Sequence, residues 1–194
     1  FVIAALWHAP RSADALLAKF AAATPTTVMA QDEWWQQGWT DLPAQRNERD
    51  QRRRWPLDLQ VAGPLAPLQA RLQAQGWRVQ PQANWIDTVG LLDDDKPTQR
   101  QPVLPGTLDA QAETLLMLRD GDHKDEQYAL RLWPAPVLLG DGTPLWLGST
   151  QTLHLTKPLG AAALWLPASD DGHAHALVAE ALKGLESQQS AHPH

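Results

Sequence analysis

Between residues 114 and 155 several short runs place apolar side chains at alternate positions, and the breaks between runs carry glycine and aspartate. This pattern restricts the stretch to antiparallel strands. Residues 114–119 form one expected strand, and Asp120-Gly121-Asp122 starts a turn. Tyr128, Leu130 and Leu132 then share one face of a strand over 127–133. Pro134 and Pro136 are expected to bend or end that strand, because proline has no N–H to give to a ladder. Gly140-Asp141-Gly142 is a strong hairpin signal. It leads into a strand at Leu145-Trp146-Leu147 that continues past Gly148 through Leu153 and Leu155. Residues 161–166 add a last strand, and 172–186 a helix with Leu177, Ala181, Leu182 and Leu185 apolar.

Upstream the pattern is mixed. Leu57, Leu59 and Val61 alternate with Asp58 and Gln60 as a half-buried strand. Gly63-Pro64 opens a helix with Leu65, Leu68 and Leu72 on one face, ending at Gly76, and Trp77 and Val79 alternate with Arg78 and Gln80 in a second strand. This is a β-α-β pattern. Earlier still, Ser12 caps a helix reaching Phe20, and Asp32 caps another in which Trp35 and Trp39, four apart, share a face. The charged run 47–54 reads as a solvated linker, 84–92 as a short helix and 93–105 as a polar loop. The expected fold class is therefore α+β: a β-α-β start followed by antiparallel strands and a C-terminal helix, with an N-terminal helical, Trp-rich appendage. Residues 1–54 form the appendage and linker, 55–186 the main domain, and 187–194 a polar tail expected to be disordered.

The 194 residues, 43% of them hydrophobic, suffice for a real core. The net charge of −6, with acids and bases interspersed, excludes the basic face of a nucleic-acid binder. The lack of cysteine excludes disulfides, thiolate zinc sites and cysteine nucleophiles. Ten tryptophans against one tyrosine and two phenylalanines mean either aromatic binding platforms or a core in which Trp takes the role usually shared among three aromatics. No run of about 20 apolar residues is present to span a bilayer. The opening Phe1-Val2-Ile3-Ala4-Ala5-Leu6-Trp7, turning polar at His8, has the pattern of a membrane helix leaving the interface; the alternative is a buried first strand.

Few residues suggest chemistry. His173 and His175, preceded by Asp170 and Asp171, are the best metal-like cluster and would serve a metal-dependent hydrolase. Their helical position sets the two imidazoles about 200° apart, a poor geometry for one ion, and either aspartate suits a helix cap. Asp120-Gly121-Asp122-His123-Lys124-Asp125-Glu126 fails as a calcium loop, because Lys124 takes an oxygen-ligand position. Asp93-Asp94-Asp95 reads as a solvated loop and His154 as a strand histidine on the wet face. No nucleophile elbow, phosphate-binding loop or dinucleotide fingerprint occurs, and no cofactor is expected. Arg131, Trp133 and Trp146, brought together by the hairpin, would make a glycan or anion platform if exposed; the alternative is inward-facing tryptophans with a snorkelling arginine.

Several ordered motifs carry a family resemblance. They are Asp32-x-Trp34-Trp35-x-x-Gly38-Trp39-x-x-Leu42-Pro43-Ala44-x-Arg46, Leu57-x-Leu59-Gln60-x-Ala62-Gly63, Gly76-Trp77-Arg78 and Pro102-Val103-Leu104-Pro105, then Arg131-Leu132-Trp133-Pro134 and Pro144-Leu145-Trp146-Leu147-Gly148-Ser149. In this order they resemble the LssY C-terminal domain family. The resemblance implies a C-terminal region of a bacterial inner-membrane protein, behind a DedA-like region and a type 2 phosphatidic acid phosphatase region. It implies no catalytic residues, and the lipid-phosphatase motif is absent from this chain. Arg52-Arg53-Arg54 departs from the more acidic stretch expected before Trp55. The expectation is a non-catalytic accessory or binding domain, membrane-attached through upstream helices and facing the periplasm. Its candidate partners are a protein, a lipid headgroup or an envelope glycan, with no nucleic acid among them.

Overall fold

A computed structural model describes residues 2–6, 27–47, 54–81, 103–109, 111–157, 163–168 and 172–190. The expected helices at 12–20 and 84–92, together with Asp93-Asp94-Asp95, Asp170 and Asp171, lie outside them. The strands are β1 (Val2–Leu6), β2 (Thr27–Met29), β3 (Gln45–Asn47), β4 (Arg54–Pro56), β5 (Leu59–Ala62), β6 (Arg78–Gln80), β7 (Thr107–Leu108), β8 (Gln111–Ala112), β9 (Leu115–Asp120), β10 (Glu126–Leu139), β11 (Pro144–Thr156), β12 (Leu164–Pro167) and β13 (Glu186–Ser190). The helices are α1 (Gln31–Gln36), α2 (Leu65–Ala74) and α3 (His173–Leu182), with a short 3₁₀ turn at Gly38–Asp41. One sheet runs β13-β1-β5-β11-β10-β9-β6, with β12 also on β11 and β2 on β10. Its pairs are antiparallel except β1 with β5 and β2 with β10.

The alternation read from 114 to 155 produces the long β9-β10-β11 meander at the centre of this sheet. The prolines do not end β10. Pro134 lies opposite Trp146 and Leu138 opposite Pro144, so residues 135–137 face Leu145 alone. The irregularity falls where proline has no N–H to lose from the ladder, and the strand resumes beyond it.

The β-α-β elements differ from expectation in their arrangement. β5, α2 and β6 are present, but β11, β10 and β9 lie between the two strands. A compact β-α-β unit does not form, because β5 hydrogen-bonds β1 and β11 while β6 bonds β9 at the far side. β5 is buried on both faces, not half-buried, because β1 and β11 flank it and both sheet faces are covered.

Adjacent residues of a strand point to opposite faces, which divides the core into two layers. On one face Leu59, Val61, Met117, Leu130, Leu132 and Trp146 meet Leu68 and Leu72 of α2 and Val178 and Leu182 of α3. Gly148 sits there between Leu59 and Leu132, and a β-carbon on it would approach both within 2.9 Å. On the other face Trp133, Leu145 and Leu147 meet Trp34, Trp39, Leu42 and Leu57.

The Trp-rich segment is thus built onto the sheet rather than set apart from it. Trp34 donates its indole N–H to Gln60 Oε1 at 2.9 Å, and Gln60 Nε2 donates to the carbonyl of Trp39 at 2.9 Å. The expected helix breaks after Gln36, so Trp34 and Trp39 turn inward while Trp35 is half-buried, and Ala30 stands at the cap position where Asp32 was expected. Residues 2–6 form a strand between β13 and β5, not the end of a membrane helix. The expected disordered tail instead begins with β13 along β1. No helix among the described residues is long and apolar enough to cross a membrane.

Candidate functional site

The middle of the second face is polar although it is buried. β10 brings Arg131 opposite Ser149 of β11, with Gln151 two residues further on the same face. Arg131 is 2% exposed, and its guanidinium donates to groups on three other segments of the chain. Nη1 donates to Glu113 Oε1 at 2.6 Å, Nε to Gln151 Oε1 at 3.2 Å and Nη2 to the Leu104 carbonyl at 2.9 Å. The segment 103–106 lies over this row, and Gly106 lets it do so. A β-carbon there would meet Arg131 Cδ at 3.0 Å and the Trp133 ring at 3.1 Å. The guanidinium of Arg46, itself buried, stands over the Trp133 ring at 5.2 Å from its centre.

The expected platform of Arg131, Trp133 and Trp146 therefore does not form. Trp133 lies opposite Leu147 and Trp146 opposite Pro134, so the two rings occupy positions one residue out of step and face opposite layers. Both are 1% exposed. Trp133 donates its indole N–H to the Gln111 carbonyl at 3.2 Å, and Trp146 to the Gly63 carbonyl at 2.8 Å. They are core residues with satisfied donors.

The sequence offers no sign of Glu113 or Gln151, and presents Asp58 only as an alternating strand residue and Ser149 only as a motif position. Between Gly148 and Leu153 four polar residues run consecutively, which in an open strand would signal a wet edge. Here the run lies between the part of β11 that pairs β5 and the part that pairs β12. Asp58 fills the gap: its Oδ1 accepts the Thr150 N–H at 2.9 Å and its other oxygen accepts the Thr150 hydroxyl.

A second polar cluster lies at the turn end of β10. Tyr128 donates its hydroxyl to Glu126 Oε1 at 2.8 Å, and His154 Nε2 stands 3.6 Å from Glu126 Oε2. The Tyr128 hydrogen bond holds the Glu126 carboxyl below the usual carboxylate range, as the Arg78 hydrogen bonds do for Asp120. Burial, then Glu126, pushes the Tyr128 phenol up to about 12. Because the folded value is the raised one, this contribution to stability is whole below the ordinary 10.0 and is lost as pH climbs through about 12. Tyr128 is the chain's one tyrosine, so tyrosinate absorbance in a pH titration of the native protein should reach its midpoint near 12. A midpoint at 10.0 would contradict the burial and the hydrogen bond.

The imidazole of His173 stacks on Tyr128 with ring centres 5.0 Å apart and planes within 4°. His175 follows two residues later on the same helix, where the helical step turns it away from His173. Among the described residues no three His, Asp or Glu side chains gather as a metal-ligand set.

No curated protein and no solved structure shows a significant match to the chain. The family model described as LssY C-terminus matches residues 39–156, which takes in the Arg131 row, Trp133, Trp146 and the whole β9-β10-β11 meander. The chain belongs to the LssY C-terminus family.

Proposed function

We infer that this domain is a non-catalytic, extramembrane accessory part of a bacterial inner-membrane protein, facing the periplasm and positioning or regulating an attached lipid phosphatase. The observation that carries the reading is what the motif residues do. Trp39, Arg46, Trp133 and Trp146, with Arg131, all within the matched residues, are buried, so these motif positions build the core. Gly38 belongs to the same support: a β-carbon on it would meet the Met29 sulfur at 2.6 Å.

The test is phosphate release from phosphatidic acid vesicles by three samples: this chain alone, the full-length membrane protein, and that protein lacking residues 1–194. The expected result is no release by the chain alone and an altered rate in the shortened membrane protein. Release by the chain alone, abolished in a His173→Ala/His175→Ala variant, would establish the hydrolase reading instead. A periplasm-dependent reporter fused after His194 of the full-length protein should be active, and an inactive reporter would overturn the periplasmic placement.

A further inference from the structure

Ser149 and Gln151 carry hydrogen-bonding groups that the fold buries and does not use. Ser149 is fully buried, and its hydroxyl has no partner among the described residues. Gln151 gives its Oε1 to Arg131, but its Nε2 is buried with no partner among them. Both belong to β11, whose ladder to β10 runs through this stretch, so neither can swing to solvent without breaking register. A buried donor left unpaired costs more than an ordinary hydrogen bond returns, and these two residues lie two apart on one face of β11.

We propose that Ser149 and Gln151, beneath the 103–106 segment, form a closed site for a small, neutral, hydrogen-bonding guest. The guest accepts from the Gln151 amide and exchanges a hydrogen bond with the Ser149 hydroxyl. Neutrality follows from the charges around it. Arg131 is already matched by Glu113 at 2.6 Å, both side chains almost fully buried, so a charged guest would add a buried charge with no counterpart. That argument rejects phosphate, carboxylate and lipid headgroups at this position. Ordered water and a hydroxyl- or amide-bearing molecule of a few atoms share the required chemistry, and a water needs only two to four such partners.

Thermal unfolding of Ser149→Ala in the full chain decides whether the site is filled. In a filled site the hydroxyl is bonded, and the variant should lower the Tm by about 3 °C. In a dry site the substitution removes an unmet group, and an unchanged or raised Tm would overturn the proposal. Ser149→Ala and Gln151→Ala should also be non-additive, because they share the guest; additive losses count against it. The unsubstituted protein supplies a readout that does not depend on variant folding. Nuclear Overhauser contacts from the Gln151 side-chain amide should reach water protons, or carbon-bound protons of a molecule released on denaturation. The first outcome identifies water and the second an organic guest, whereas contacts of neither kind would sink the proposal.

Discussion

Replacing Arg131 with methionine should cost the fold about 3–5 kcal/mol, because the substitution leaves Glu113 as a buried carboxylate without its cation. Glu113 is 3% exposed. The loss should appear as a lower midpoint in urea with an unchanged slope, since the area exposed on unfolding hardly alters. Changing both partners, Arg131→Met with Glu113→Leu, should recover most of that stability, because a buried ion pair gains little over apolar groups of similar size. A single variant as stable as the parent would show that Glu113 is solvated or held elsewhere. A double variant no better than the single would mean that the bonds to Gln151 and the Leu104 carbonyl matter more than the charge pair.

Trp34→Ala should be comparably severe, at about 3–5 kcal/mol for a fully buried tryptophan truncated to a methyl group. Trp34 lies in the helix that the linear pattern assigned to an appendage, yet its ring packs against the sheet and its N–H is held by Gln60, 26 residues away. Unfolding followed separately by tryptophan fluorescence and by far-ultraviolet dichroism should give coincident transitions, both shifted to lower urea. An early transition confined to fluorescence would instead mark residues 31–47 as a separate unit. Trp34→Phe should cost less, about 1–3 kcal/mol, chiefly by leaving the Gln60 carbonyl oxygen without its donor.

Most of the site was hidden from the linear sequence for a geometric reason. Arg131, Trp133 and Trp146 were visible as residues, but whether the two rings met depended on register. A pairing of Trp133 with Leu147 rather than with Trp146 sends them to opposite faces. Glu113, one acid among many, became distinctive only when folding placed it against Arg131. The same holds for Asp58, which bonds Thr150 across 92 residues. In the sequence His173 suggests no more than a weak metal ligand, and only the packing of α3 against the sheet brings it to stack on Tyr128.

The sequence by itself determined the central meander, the hairpin at Gly140-Asp141-Gly142, the helix at the C-terminal end and the family, because alternation, turn chemistry and ordered motifs are written in neighbouring residues. Only the tertiary structure decided that residues 2–6 enter the sheet, that three strands separate β5 from β6, which tryptophans turn inward, and that a polar row lies buried in the middle of one face of the sheet. Those outcomes rest on hydrogen bonds and contacts between residues far apart in the chain, and local periodicity holds no record of which strand will lie beside which.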